Sequence, residues 1–413
     1  MEKGKSFEIT QEEVLTAYKS VKANHGAGGV DGVGIEQFEE NRKDNLYKLW
    51  NRMASGSYFP KAVRGVEIPK KNGKTRLLGI PTIEDRVAQM VVRNRLEPLV
   101  EPMFLPDSYG YRPNKSAVDA VGAARERCWR MPWVIEFDIK GLFDHINHEK
   151  LMKAIKKHTQ EKWVLLYTER FLKAPMILPN GERTERTEGT PQGGVISPVL
   201  ANLFLHYAFD RWMIQNFKRC PWERYADDGL IHCISLKQSE YVLKRVSERM
   251  QQCDLELHPE KTRIVYCHSE RHKGHHENES FDFLGYTYKT RWMKGKDGQF
   301  HEVFTPAASK EAAKKFREKI KEICLRNPTA SLERLAEILN PVIRGWYNYF
   351  GTYRKSSISE DLSYVNFTLV RWYRRNHKSA GRNLRKAWRY IAVTAENNRE
   401  LFYHWTLGKV PTI

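Results

Sequence analysis

Arg224-Tyr225-Ala226-Asp227-Asp228-Gly229 stands between Pro221-Trp222-Glu223 and Leu230-Ile231-His232-Cys233-Ile234. Short aromatic and aliphatic runs around a small polar centre predict a β-hairpin, with two adjacent carboxylates at its tip. Carboxylates about 4 Å apart repel by roughly 4 kcal/mol at an effective dielectric near 20, so such a tip favours a bound cation. Oxygen ligands alone suit Mg²⁺, which keeps some of its waters and takes further ligands from substrate phosphates. Taken alone, the pair reads more readily as a solvated Asp-Asp turn. A second carboxylate element upstream reverses that weighing.

That element is Trp133-Val134-Ile135-Glu136-Phe137-Asp138-Ile139-Lys140-Gly141-Leu142-Phe143-Asp144. Period-2 alternation puts Ile135, Phe137 and Ile139 on one face of a strand and Val134, Glu136 and Asp138 on the other. Paired beside the hairpin, Asp138 would complete a three-carboxylate cage for two Mg²⁺ ions. Two such ions activate an attacking hydroxyl and stabilise a leaving phosphate. A strand aspartate followed about 90 residues later by a Tyr-x-Asp-Asp hairpin resembles the palm of a reverse transcriptase.

Composition bounds the partners. A chain of 413 residues can bury a large core and is expected to fold as two or three domains. Its 69 Lys+Arg against 50 Asp+Glu give a net charge of +19, which points to a polyanionic partner. Thr305 to Ile413 carry 21 Lys/Arg against 9 Asp/Glu, so the excess is concentrated at the end. Cys128, Cys220, Cys233, Cys253, Cys267 and Cys324 form no CxxC pair, which fits a reducing compartment. No apolar run approaches the roughly 18 residues of a membrane span and no signal segment opens the chain, so a cytoplasmic protein without membrane contact is expected.

Residues 1–55 read as helical, with Val14, Leu15, Tyr18 and Val21 as an amphipathic stripe and a second helix from about Ile35 to Trp50. The intervening Gly26-Ala27-Gly28-Gly29 is no phosphate loop, because no strand precedes it and no Gly-Lys-Ser/Thr follows. Arg64 to Pro81 reads as a hairpin turning at Asn72-Gly73, with Lys70, Lys71, Lys74 and Arg76 crowding one end. Helices are expected over Glu84–Val100, from Ser116 to about Arg130, and from about His148. A polar hairpin is expected around Pro179-Asn180-Gly181. Thr190-Pro191-Gln192-Gly193-Gly194, where backbone can approach a ligand and Gln192 can donate to it, precedes an apolar helix over Val199 to Met213. Phe281 to Tyr288 reads as one strand. Cys267, His268, His272, His275 and His276 match no standard zinc spacing, and a solvated loop outweighs a metal site there.

From Thr305 the pattern turns helical, with helices over Ala307 to Leu325 and Ser331 to Leu339 and an aromatic run, Gly345-Trp346-Tyr347-Asn348-Tyr349-Phe350. Arg371, Arg374, Arg375, Lys378, Arg382, Arg385, Lys386 and Arg389 then recur at spacings of three or four, with no acidic residue from Arg371 to Tyr390. On one helix they make a single basic face. Such a row repels itself unless a polyanion neutralises it, so contact with RNA phosphates is expected. Trp372, Tyr373, Trp388 and Tyr390 read as packing aromatics.

The order of these motifs resembles the bacterial group II intron reverse transcriptase/maturase family over nearly the whole chain. The resemblance implies an α+β right-hand polymerase of fingers, palm and thumb. Its palm sheet would be ferredoxin-like and its C-terminal thumb/maturase domain all-α. It implies an N-terminal extension over residues 1–55, fingers and palm over 56–304, and a thumb/maturase domain over 305–413. Asp138, Asp227 and Asp228, with the backbone of Ile139, would hold two Mg²⁺ ions, Mn²⁺ being a substitute. Lys261 matches the lysine considered as general acid for pyrophosphate release. Lys70, Arg76, Arg112, Phe143 and Gln192 would contact the incoming dNTP, Phe143 as the gate against a ribose 2′-hydroxyl. Implied partners are group II intron RNA, an RNA template with a DNA or RNA primer, dNTPs and target DNA. Asn24 to Asp31 looks like the family's N-terminal motif. The chain ends at Ile413 without the Cys/His cluster of an HNH nuclease, so it is not expected to cut target DNA itself.

Three alternatives compete. A domesticated relative used in repair or defence would share every motif. A viral-type RNA-dependent RNA polymerase would prefer Gly before the Asp pair and a small or polar residue in place of Phe143. A non-catalytic RNA-folding factor would have no use for three mutually repulsive carboxylates.

Overall fold

The structure, a computed structural model, describes residues 6–69, 75–376 and 383–411. The chain divides into two compact units, one of Met1–Ser116 with Ile135–Arg263, the other of Ala117–Val134 with Ile264–Ile413. The segments expected from the sequence run consecutively, whereas these units interleave. The boundary expected at 305 falls inside a strand.

The first unit opens with α1 (Gln11–Ala23), α2 (Ile35–Glu40) and α3 (Arg42–Ser55). Thr10 and Glu13 form a capping box on α1, which buries Val14, Ala17, Tyr18 and Val21. Ala17 replaces Leu15 on the buried stripe; Leu15, one residue or 100° round from Val14, is 37% exposed. The single helix expected from Ile35 to Trp50 is broken at Asn41, whose φ of −116° and ψ of 32° leave the helical region. Next come β1 (Val63–Pro69), β2 (Thr75–Ile80) and α4 (Ile83–Val100). β1 and β2 pair antiparallel from Arg64↔Ile80 to Pro69↔Thr75. Their Asn72-Gly73 turn, with Lys70, Lys71 and Lys74, lies outside the described residues. Buried polar groups of α4 fasten loops to it. Asp85 accepts from Tyr58 and Thr82, and Arg86 donates to the carbonyls of Ala27 and Pro81.

After α5 (Ala117–Cys128) of the second unit come β3 (Trp133–Asp138), α6 (Leu142–His145), α7 (His148–Ile155) and α8 (Lys162–Lys173). A short antiparallel pair follows, β4 (Met176–Ile177) and β5 (Arg183–Thr184), and it extends the first ribbon in the order β2-β1-β4-β5. The apolar helix expected over Val199 to Met213 runs as α9 (Ser197–Leu205), a π turn over His206–Asp210, and α10 (Arg211–Asn216). The catalytic sheet is completed by β6 (Trp222–Tyr225), β7 (Asp228–Cys233) and, after α11 (Leu236–Gln252), β8 (Arg263–Tyr266), in the order β6-β7-β3-β8.

The second unit carries a three-stranded sheet, β9 (Ser280–Phe283), β10 (Tyr286–Lys294) and β11 (Phe300–Ala308), in the order β11-β10-β9. The single strand expected over Phe281 to Tyr288 is therefore a hairpin. Leu284 (φ 51°) and Gly285 (φ 80°) turn the chain, and Tyr286 pairs with Phe283. Five helices follow: α12 (Lys310–Arg326), α13 (Leu332–Phe350), α14 (Ser359–Asn376), α15 (Leu384–Asn397) and α16 (Tyr403–Thr406). The helix expected to start at Ala307 starts at Lys310, where Ser309 caps it and Ala307 still belongs to β11. α13 does not stop at Leu339 but continues through Pro341, burying Leu335, Leu339, Ile343, Trp346 and Phe350 at helical spacing. That stripe outweighs the one backbone hydrogen bond a proline removes. Trp346 stacks on Phe316 at 4.6 Å between ring centroids.

The basic row differs most from expectation. Arg371, Arg374 and Arg375 end α14, whereas Arg385, Lys386 and Arg389 begin α15 after the Asn383 cap. Two helices therefore share the row that the spacing placed on one. Lys378 and Arg382 lie outside the described residues. Arg371, Arg375, Arg385, Lys386 and Arg389 are exposed, while Trp372 and Tyr373 are buried and Tyr373 stacks on Tyr390 at 4.0 Å. All six cysteines are free thiols and buried. Among the described residues no helix is long and apolar enough to cross a membrane.

Candidate active site

The Tyr225-Ala226-Asp227-Asp228 sequence is the turn of the β6–β7 hairpin, with Tyr225 opposite Asp228. Only Ala226 and Asp227 lie between the strands, so the tip is as tight as a hairpin allows. Ala226 takes a φ of 58°, a left-handed conformation that costs an alanine on the order of 1 kcal/mol or more. Two glycines make room. A side chain on Gly229 would collide with the Phe137 ring of β3, and one on Gly110 with the backbone of Ala226. β3 can therefore lie against β7, and its end is tied to the turn by the Ile139 N–H, which donates to the Asp227 carbonyl at 3.0 Å.

A buried arginine holds the hairpin in place. The Arg224 side chain is fully buried and makes a bidentate ion pair with Asp210, both contacts at 2.8 Å. It also donates to Asn202 Oδ1 (3.2 Å), Ser108 Oγ (2.8 Å) and the carbonyl of Ala226 (3.1 Å). The last bond grips the strained residue itself. Asp210 closes the π turn, and the extra residue of such a turn changes the direction in which the following side chains point.

The three carboxylates converge. Asp138 is buried at the end of β3, and the side chain of Asp228 hydrogen-bonds to it. Burial, then the charges of Asp227 and Asp138, push Asp228 up to about 7. Burial and the Asp138 charge likewise raise Asp227 above the usual carboxylate range. Three acids in such contact, one of them retaining a proton near neutrality, form a donor set of hard oxygens that suits a divalent cation.

Lys261 reaches the same point. Residues 256–258 run beside the end of β3, with Lys140 N–H donating to the Glu256 carbonyl and His258 N–H to that of Asp138. This brings Lys261 Nζ to 2.8 Å from Asp138 Oδ2. Burial pulls the ammonium pKa down, but the hydrogen bond and charge of Asp138, with Asp228 and Asp227, leave it raised overall.

On the ribbon side, Arg76 Nε donates to Gln192 Oε1, and Gln192 Nε2 donates to both oxygens of Asp144 at 3.0–3.1 Å. The Thr190–Gly193 loop is fixed by Thr190 N–H on the Phe143 carbonyl (2.6 Å) and Gly79 N–H on the Gln192 carbonyl (2.8 Å). Phe143 is buried in α6, edge-on to Tyr111 at 6.4 Å. Arg112 differs from expectation. Its side chain is 7% exposed and paired with Glu101, and it donates to the carbonyls of Leu105 and Ser108. Those bonds use its guanidinium to hold the 101–112 turn, which removes it from the triphosphate contacts. Lys70 lies outside the described residues. Sequence reasoning gave no role to Asp144, Asp210 or Arg224. An arginine inside an otherwise apolar strand was the available signal for the last, since a buried charge needs a partner.

Residues 68–288 match the reverse transcriptase (RNA-dependent DNA polymerase) family, a segment that contains all three aspartates and Lys261. The chain belongs to that family. Residues 313–389 match the group II intron maturase-specific domain. The chain is 32% identical over 261 residues to the group II intron-encoded protein LtrA of Lactococcus lactis, across 62% of this chain and 41% of that protein. It is 31% identical over 318 residues to protein YkfC of Escherichia coli, across 67% of this chain and 81% of that one. It is 26% identical over 309 residues to a putative COX1/OXI3 intron 1 protein of Saccharomyces cerevisiae, across 62% of this chain and 37% of the relative. The chain thus spans about two fifths of the length of the Lactococcus relative.

Proposed function

We propose that this chain is an RNA-directed DNA polymerase that also acts as a maturase, binding its parent group II intron RNA to aid splicing and retrohoming. The contact between Asp138, at the end of β3, and Asp228, at the hairpin tip, carries this reading, with Asp227 beside them. These three residues and the backbone of Ile139 would hold two Mg²⁺ ions. When bound, such ions lower the pKa of the primer 3′-hydroxyl and neutralise charge on the leaving pyrophosphate. The protein's own part is to position and to donate. The Arg224 bonds and the Ile139 tie hold the aspartates at one spacing. Gln192, oriented by Arg76 and Asp144, presents its amide beside the nucleotide pocket. Phe143 fills the space where a ribose 2′-hydroxyl would sit. Lys261, protonated and 2.8 Å from Asp138, is placed to give a proton to the pyrophosphate. The exposed arginines and lysine of α14 and α15 would contact intron phosphates, within the segment matching the maturase domain.

Asp227→Asn tests this directly. The substitution keeps the side chain's shape and removes its charge. Mg²⁺-dependent extension of a primed RNA template should fall by at least about a thousandfold, roughly 4 kcal/mol of transition-state stabilisation, with RNA binding retained. Near-normal extension would exclude the two-metal assignment.

A further inference from the structure

The histidine-rich segment between β8 and β9, expected from its spacing to be a solvated loop, brings metal-ligating groups together. The His268 and His275 rings stack with centroids 4.9 Å apart. With Glu279 they offer ligand atoms that all lie within 4.8 Å of one another. A fourth group comes from β11, where Glu302 Oε2 stands 3.5 Å from His268 Nε2. The other candidates in the segment are committed elsewhere. Cys267 is fully buried, His272 Nδ1 bonds to the Cys267 carbonyl, and the His276 ring packs edge-on against Trp133 and Tyr266.

The tautomer of His268 supplies an independent argument. Its Nδ1 lies 2.8 Å from the carbonyl oxygen of Gly274. A carbonyl only accepts, so Nδ1 carries the ring proton and Nε2 of the neutral ring presents a lone pair at the Glu302 carboxylate. Lone pair against carboxylate is repulsive unless a cation or a second proton lies between them. A backbone carbonyl on the far nitrogen is also how metal-bound histidines are oriented. Glu279 is fixed in a similar way, accepting the His276 N–H at 2.9 Å while its oxygen lies 3.2 Å from His275 Nδ1. The backbone fastens the loop to β11: Glu270 N–H donates to the Glu302 carbonyl, and Glu302 N–H to the Glu270 carboxylate, each at 3.2 Å.

We infer that His268, His275, Glu279 and Glu302 form a site for a divalent transition-metal ion of the zinc class, separate from the three palm aspartates. Two imidazoles and two carboxylates suit tetrahedral Zn²⁺, whose ligand atoms, bound at about 2.0–2.2 Å, stand roughly 3.3 Å apart. The His268–Glu302 spacing already meets that, and the more exposed His275 and Glu279 can close the remaining gap by rotating. A bound ion would cross-link the loop before β9 to β11.

The test is a Zn²⁺ titration of the metal-stripped full chain against a chromophoric chelator, in excess Mg²⁺ so that the palm carboxylates do not compete. One equivalent should bind at micromolar free zinc or below, with a rise in Tm. Asp227→Asn should bind the same equivalent. His275→Ala, at a position whose side chain is 84% exposed, and Glu279→Gln should keep the fold but weaken binding by at least the roughly tenfold that loss of even an outer-shell partner costs. They should also abolish the Tm rise. Failure of the wild type to bind an equivalent, or equal affinity in wild type, His275→Ala and Glu279→Gln, would overturn the inference.

Discussion

At the scale of single residues, the structure separates side chains that act from side chains that hold. Phe143 is buried beside the aspartates with its carbonyl fastened to Thr190, so shortening it should open space without moving the loop. Phe143→Ala should raise rNTP incorporation relative to dNTP by about tenfold or more, a discrimination of roughly 1.4 kcal/mol. Single-nucleotide extension with each substrate measures it, and an unchanged ratio would place the gate elsewhere. His404 makes a different prediction. It is buried with Nε2 2.7 Å from Asn366 Oδ1, and burial holds its pKa down at about 3. Between about 6.5 and that value the unfolded chain binds a proton that the native state refuses, so stability falls as pH drops through this window. Lowering the pH from 7 to 5 should lower the Tm of the second unit, and His404→Gln should flatten that slope. Neither Arg112 nor His404 revealed its role in the sequence, because both depend on burial and on partners brought together only by folding.

At the scale of elements, the catalytic hairpin was legible because its signal is local: a run, a two-residue turn, a second run. What holds it was not. Arg224 draws on Ser108, Asn202 and Asp210, which come from a loop, a helix and a π turn far apart in sequence. The same distinction explains α13, where a proline marks a stop locally but a buried stripe carries the helix through. Removing one partner of a buried ion pair costs about 3–5 kcal/mol, whereas replacing both with apolar residues is often neutral. Arg224→Leu alone should therefore lower stability by about that amount, and the Arg224→Leu/Asp210→Leu pair should recover most of it. Polymerisation should not recover with it, because the Ala226 carbonyl still lacks its donor and the strained turn can relax. Chemical denaturation and primer extension on the three proteins separate the effects. Recovery of both together would reduce Arg224 to a packing role.

At the scale of the whole molecule, the palm aspartates and the exposed basic ends of α14 and α15 belong to different compact units. Charge at the hairpin tip and grip on a folded RNA should therefore be separable by mutation. Replacing Arg371, Arg375, Arg385 and Arg389 by Ala should weaken binding to intron RNA and reduce the salt slope by roughly 0.7–0.9 for each phosphate no longer neutralised. Synthesis on a short saturating primer-template should change little. Asp228→Asn should do the reverse, still promoting splicing while making no cDNA. Parallel loss of both activities in both folded variants would rule out a division of labour. The interleaving of the units also bears on how the chain is made. Trp129 Nε1 donates to the carbonyl of Phe304, a partner 175 residues later in the chain. At about 5–20 residues per second of translation, the ribosome delivers that partner roughly 10–35 s afterwards. For that interval α5 and the start of β3 have emerged without the sheet that will cover them. The early segment of the second unit is therefore where a nascent chain most needs a chaperone.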